Sequence, residues 1–147
     1  MLDVEALRQR FLGSEFDAVE FVLEPRKLVA VAEAIGETRT EYLDADRSDF
    51  RATPAFIGSL SARRHLPVDF PSLGGIPMDG GKAVTCLSPV KPGVTLTGRS
   101  HLHDIYEKSG RSGRMVFIVS RMEIFDPAGT HVATNDSRIV VRERPQS

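Results

Sequence analysis

EPRKLVAVAEAIGETRTEYLD, residues 24–44, is the stretch on which the reading of this chain turns. Leu28, Val31, Ala32 and Ile35 fall at i, i+3, i+4 and i+7, one apolar stripe on a 3.6-residue period. Pro25 suits the first helical turn, where a missing N–H costs nothing, and Gly36 suits the stop, where a left-handed residue releases the chain. A polar cluster follows at once: Glu37, Thr38, Arg39, Thr40, Glu41, Tyr42 and Asp44. The stretch therefore predicts a helix packed on its apolar side, with a candidate reaction site at its exit.

Outward from this helix, FDAVEFVLE (16–24) alternates Val19, Phe21 and Leu23 and predicts a strand leading into it. Val4, Leu7 and Phe11 recur at helical spacing ahead of Gly13, so residues 1–13 are expected to be a flanking helix. On the other side, Phe56, Ile57 and Leu60 fit a turn or two of helix in a segment interrupted by Pro54. LPVDFPSLGGIPMDGG (66–81) is dense in Pro and Gly and predicts a long covering loop, a kind of segment that is more often functional than idle.

The second half changes character. Four strands are predicted over 82–90, 94–108, 114–126 and 131–143, separated by Lys91-Pro92-Gly93, by Ser109–Gly113 and by Asp126-Pro127-Ala128-Gly129. Short turns of this kind join antiparallel neighbours, and the last three strands exceed the usual five or six residues, which predicts a long curved meander. A curved sheet and one apolar helix pack most economically with the sheet around the helix. The fold class is thus α+β, a single domain over residues 1–147 with a tail at 143–147.

Composition bounds the function. An apolar share of 41%, a charged share of 27% and a formal net charge of −1 describe an ordinary globular chain, with no electrostatic argument for nucleic acid or an anionic membrane. No apolar run approaches the roughly 18 to 20 residues of a membrane span, and MLDVEALRQR lacks the form of a secretory signal. The one cysteine, Cys86, lies in the apolar run AVTCLSPV and reads as a buried thiol in a reducing compartment, so the cytoplasm is expected.

A long antiparallel sheet around one helix is the hot-dog architecture, and the residues themselves resemble a known family. AIGET followed by Tyr-Leu-Asp, ATPAF, MDGGK, SPVKPGVTLTG and HDIYEKSGRSGRMVFIVSRMEIFDPAGTHVA are together similar to the N-terminal-type domain of MaoC-like dehydratases, over roughly residues 15–143. The EKSGRSGRMVF hairpin is the most specific part. The resemblance implies an acyl thioester, of coenzyme A or of an acyl carrier, as substrate or ligand, with no other cofactor and no metal. It implies hydration of a trans-2-enoyl group, or the reverse, in catalytic members.

Those members carry Gly-Asp-x-Asn-Pro-Leu-His-x-Asp just past the helix, with the Asp and the His performing the chemistry. Here Gly36 and Asp44 match, Glu37 stands at the catalytic Asp, Arg39 and Thr40 replace Asn-Pro, and Tyr42 stands at the catalytic His. In the family, N-terminal-type domains are often the non-catalytic half of a double hot dog. The resemblance thus implies an acyl-thioester-binding subunit with a degenerate acid/base pair, partnered in a homodimer or a heterodimer with another hot-dog subunit. The alternatives are an active hydratase using Glu37, a hot-dog thioesterase and a non-enzymatic assembly module.

Hydration needs a base, an acid and donors for the enolate-like oxygen. A carboxylate beyond a helix C-terminus feels the negative end of the dipole, so the pKa of Glu37 is expected to rise, as a base requires. Tyr42, with a pKa near 10, suits hydrogen bonding better than proton shuttling. Arg39, Lys108, Arg111 and Arg114 are the candidate substrate-binding cations. The last three crowd a hairpin whose Gly110 and Gly113 admit close approach of a phosphate, the other reading being a solvated turn. His65 with Arg63 and Arg64 offers a second basic patch beside the covering loop. His101 and His103 share a strand face without further ligands for a metal.

Overall fold

Alternation in the second half of the chain becomes three adjacent long strands. The structure, a computed structural model, describes residues 1–144. Its elements in chain order are α1 (Val4–Phe11), β1 (Glu15–Val22), α2 (Pro25–Ala34), α3 (Thr40–Leu43), α4 (Pro54–Ser59), β2 (Ile76–Cys86), β3 (Thr95–Gly110), β4 (Gly113–Phe125) and β5 (His131–Arg142). All pairings are antiparallel and the sheet order is β1-β3-β4-β5-β2. This few-helix, five-stranded sheet is the expected α+β hot-dog arrangement, and β3, β4 and β5 form the expected meander.

One face of the sheet is the inner one. Along β4 it carries Val116, Ile118, Ser120, Met122 and Ile124, and the register sets Val141, Ile139, Ser137, Asn135 and Ala133 of β5 beside them in turn. On β3 it carries Leu96, Gly98, Ser100 and Leu102, then Ile105 after a bulge at His103 that shifts the alternation by one residue. Two apolar clusters lie on this face. One gathers Leu28, Phe50, Ile57, Val90, Leu96 and Ile124 under the helices. The other gathers Leu7, Phe11, Leu102, Ile105, Val116 and Ile118 under α1 and the covering loop. Leu28, Ile57, Leu102 and Ile118 are at most 1% exposed. Each is worth about 1.5 to 3 kcal/mol of burial.

The helix α2 forms where the apolar stripe puts it, and Gly36 (φ +77°) ends it. Gly36 N–H donates to Glu33 O at 3.1 Å and Glu37 N–H to Ala32 O at 2.9 Å, the paired bonds of a Schellman cap. The stripe buries at Leu28 and Ala32, while Ile35 is left 54% exposed. α2 rests on α3 and α4, and it is the short α4 that lies directly against β2 and β5. Pro54 opens α4 rather than breaking it: it occupies the first turn behind Thr53, whose Oγ1 accepts the Phe56 N–H at 3.2 Å.

Three expectations need correction. β2 pairs with β5 and not with β3, because the 87–94 connection crosses the helical side, held by Ala52 N–H donating to Val90 O at 2.8 Å and by buried Val90. Residues 76–81 belong to β2, not to the covering loop. Gly80-Gly81 makes a bulge in that edge strand, and a Cβ on Gly80 would stand 2.7 Å from Val140 Cγ2. Cys86 is exposed rather than buried, because it ends that edge strand. Partial shielding of its sulfur from water still pushes the thiol pKa up, which keeps it protonated.

At the C-terminal end, Glu143 is buried. Its carboxylate accepts the Leu2 N–H at 2.8 Å and pairs with Arg114 at 2.9 Å, tying α1 to the sheet. The remainder of the proposed tail, residues 145–147, lies outside the described residues.

Candidate active site and ligand cavity

The Schellman cap sets Glu37 just beyond α2, and the chain then turns back on that side chain. Thr38 and Arg39 N–H each donate to Glu37 Oε1 at 3.0 Å, and Arg39 Nε does so at 3.2 Å. Arg39 also lies over the Tyr42 ring, 4.8 Å from its centroid. The Arg39 guanidinium first, and then the two backbone N–H groups, hold the Glu37 carboxyl at a pKa of about 2. The expected rise is therefore reversed: three donors within hydrogen-bonding distance outweigh the diffuse dipole of a ten-residue helix. Such a carboxylate is a weak base at neutral pH.

Tyr42 turns to another side. With Arg51, Ala52, Ile57, Cys86 and Val90 it lines a cleft of about 220 Å³ beside α4. Two of the three hairpin cations are engaged locally. Arg114 is engaged by Glu107, Glu143 and the Leu2 carbonyl. Lys108 stands 5.4 Å above Phe117, which stacks on Tyr106 with ring centroids 4.8 Å apart. Arg111 is exposed at the turn. His101 and His103 meet edge to face, 6.0 Å apart, and no group of metal-ligating side chains occurs among the described residues.

A cavity of about 390 Å³ lies elsewhere on the inner face, between the two apolar clusters. Its floor is polar across two adjacent cross-strand rows, Ser100–Met122–Asn135 and Leu102–Ser120–Ser137. Three serines stand here, where the next row toward the hairpin, Ile105–Ile118–Ile139, carries three isoleucines. Leu60, Leu73, Met78 and Ile139 supply apolar walls, while Arg64, His65 and Lys82 line it with cationic or titratable groups. The covering segment is held down by Ser120 Oγ donating to His65 O at 3.0 Å and by Arg63 N–H donating to Asp17 Oδ2 at 3.0 Å.

α4 separates the cavity from the polar cluster. Asn135 Nδ2 donates to Ile57 O and to Leu60 O, both at 3.0 Å. Ile57 lines the cleft shared with Tyr42, and Leu60 lines the cavity. Glu37 is not among the residues lining the cavity. The hairpin turn at Gly113 is seven residues along β4 from Ser120, which is about 23 Å at the usual rise of ~3.3 Å per residue. The polar cluster, the cavity and the hairpin thus occupy three places, and sequence reasoning passed over the floor of the second. Its signal is present in the chain: Ser100, Ser120 and Ser137 break the apolar alternation of β3, β4 and β5, Ser120 and Ser137 directly paired and Ser100 one row away.

Comparison with known proteins places this geometry. Residues 10–135 match the family described as "FAS1-like, dehydratase domain region". The chain is 27% identical over 148 residues to a UPF0336 protein of Streptomyces coelicolor, covering 93% of this chain and 96% of that one. Among solved structures it resembles a MaoC-like dehydratase from Rhodospirillum rubrum, with TM-score 0.63, 17% identity, and coverage of 95% of this chain and 98% of that one. It also resembles a chain of the HadBC complex, a 3R-hydroxyacyl-ACP dehydratase of Mycobacterium tuberculosis, with TM-score 0.68, 17% identity, and coverage of 88% and 96%. These structural likenesses carry the fold, and the family match, which spans most of the chain, carries the membership. The chain belongs to the FAS1-like dehydratase-domain family, whose MaoC-like members share this hot-dog fold.

Proposed function

We propose that this hot-dog domain binds an acyl thioester in the cavity floored by Ser100, Ser120, Asn135 and Ser137, and works beside a second hot-dog subunit that supplies the acid/base pair. The observation that carries this reading is the state of Glu37. The residue at the family's catalytic Asp is locked to Arg39 at a pKa of about 2, and Tyr42 at the family's His position faces a different cleft. The cavity supports the other half of the reading, since its apolar walls suit an acyl chain.

A partner is supported by the open edge of β2. Ile76 and Met78 on that strand are 51% and 41% exposed, and an uncovered edge with apolar side chains invites pairing. The HadBC neighbour is itself a complex of hot-dog chains. Arg64, His65 and Lys82 in the cavity lining are placed to meet the anionic carrier.

The test is a hydratase assay with crotonyl-CoA and longer 2-enoyl-CoA thioesters. The purified chain is assayed alone and then with a hot-dog subunit that retains Asp and His. Turnover is expected only in the mixture, with Glu37→Gln unchanged from wild type. Turnover by the lone chain that vanishes in Glu37→Gln would overturn the reading in favour of an active hydratase. Thiol release from saturated acyl-CoA would favour a thioesterase instead.

A further inference from the structure

The sheet face opposite the cavity carries an apolar row at its hairpin end. Register sets Tyr106 of β3, Phe117 of β4 and Val140 of β5 side by side there. The two rings stack with centroids 4.8 Å apart and planes 1° from parallel, and both remain partly exposed. Cations flank this row on both sides. The next row toward the hairpin holds Lys108, Met115 and Arg142, and the next row the other way holds Arg138 beside Val119. Lys108 Nζ stands 5.4 Å from the Phe117 centroid and 5.9 Å from that of Tyr106. A Cβ on Gly80 would meet both Arg138 Cγ, at 3.0 Å, and Val140 Cγ2, at 2.7 Å, so these two side chains share the face. The acids nearby are taken: Asp104 by Arg8 at 2.6 Å, Asp136 by Arg121 at 2.8 Å, and Glu107 by Arg114. Lys108, Arg138 and Arg142 are exposed and pair with no carboxylate among the described residues. In a chain of formal net charge −1, this is a local excess of positive charge set around apolar surface.

We infer that this face docks an acidic amphipathic helix of a partner protein, its apolar side on Tyr106, Phe117 and Val140 and its carboxylates on Lys108, Arg138 and Arg142. The dimensions agree. Neighbouring rows on one face lie about 7 Å apart, two residues at ~3.4 Å each, which is where the flanks of a helix roughly 10 Å across come to rest. Apolar contact then supplies the affinity, and the charges on both flanks fix the helix on the row and reject basic partners. A second copy of this chain fits poorly, because a two-fold axis here would set the three cations against their own equivalents. A lipid surface fits poorly too. Each ring covers one face of the other, which leaves a ridge for a helix to lie on instead of free side chains to enter a bilayer. The inference stands apart from the acyl-thioester reading, since it uses the other face of the sheet.

The test is a displayed library of short amphipathic helices, with flanking positions randomised over acidic, neutral and basic residues, selected on the full chain. Enriched helices are expected to carry Asp and Glu on both flanks and to shift the Met115 methyl signal of the methionine-labelled chain. They should bind about tenfold more weakly to the double variant Lys108→Glu/Arg142→Glu, and separately to Arg138→Glu. All three side chains are exposed, so each variant should melt as wild type does, and the two variants check one another. The inference fails if no acidic helix is enriched, if acidic helices bind the charge-reversed chains as tightly as wild type, or if binding leaves Met115 unmoved. It fails equally if the chain cosediments with phosphatidylglycerol vesicles, or self-associates, in a way that the same reversals abolish. Those results would give the face to a lipid surface or to a second copy.

Discussion

Arg39 closes over Glu37 from two positions along the chain, with Nε 3.2 Å from Oε1, Nη2 3.3 Å from Oε2, and its own backbone N–H 3.0 Å from Oε1. One residue thus satisfies the carboxylate with three donors, and the Glu37 side chain serves as a loop clamp. The Glu37 pKa is lowered from 4.5 to about 2, so the clamp's contribution is complete above about 4.5 and is lost as pH falls through about 2. The expected titration midpoint of the Glu37 carboxyl in the folded chain, read by carbon-detected NMR, is about 2. In Arg39→Ala it should climb toward 4.5. A wild-type midpoint near 6, as a general base would show, would contradict the assignment of Glu37 as a clamp.

The Arg114–Glu143 pair makes an opposite case, in which a candidate ligand-binding cation is a fastener. Glu143 is 6% exposed. Burial alone would raise its pKa, but the Leu2 N–H and Arg114 overcome that and hold it below the ordinary range. Arg114→Met leaves this buried carboxylate without its cation. With Arg114 about a fifth exposed, the expected loss is about 2 kcal/mol, below the roughly 3 to 5 kcal/mol that breaking a fully buried pair costs. Urea unfolding at pH 7 measures it. Because the Glu143 pKa is depressed, the stability gap between wild type and variant should narrow as pH falls below 4.5. Faster amide exchange over residues 2–11 should accompany the loss, since the same carboxylate holds Leu2.

Much of this molecule was legible in the residues because long strands announce themselves. The alternation from Met115 to Phe125 and from Val132 to Arg142 is sustained enough to give β4 and β5 nearly to the residue. What was not legible depends on non-local contact. The place of β2 beside β5 is decided by the crossing of Ser88–Val94 under Ala52, and no turn signal encodes a crossing. Gly80-Gly81 reads as a loop until Val140 is known to lie against it. The polar floor was missed for a similar reason: Ser100, Ser120 and Ser137 look like outward residues one strand at a time, and their gathering in two adjacent rows of the inner face appears when the register is laid out. For the polar cluster, the identities at Glu37 and Tyr42 were plain, but the direction of the Glu37 pKa turned on where Arg39 folds.

Gly36 offers a clean measure of what the cap of α2 costs to disturb. Its φ is +77°, and a Cβ built there would meet nothing within 4 Å, so substitution brings backbone strain without a clash. Gly36→Ala should destabilise the chain by about 1 kcal/mol, the usual penalty of a left-handed conformation for an L-residue. Gly36→Asn should lose less, because its side chain tolerates that region. Guanidinium melts of the three proteins give the ranking; equal stability of all three would mean that the Glu37 N–H bond to Ala32 O does not depend on the left-handed turn.

Ser137→Leu separates the stability of the cavity from its use. Ser137 lines the cavity and stands opposite Ser120, with Lys82 on its other side. A leucine there fills part of the 390 Å³ and removes apolar surface from water. Full burial would be worth about 2 kcal/mol, and repacking strain reduces the expected gain to about 1 kcal/mol. The variant should therefore melt a few degrees higher than wild type, yet bind octanoyl-CoA and 3-hydroxyoctanoyl-CoA at least tenfold more weakly. Opposite signs in the two measurements are the signature of a void kept open for a ligand against the interest of stability. If Ser137→Leu is more stable and binds both thioesters as wild type does, the acyl chain lies somewhere other than on this floor.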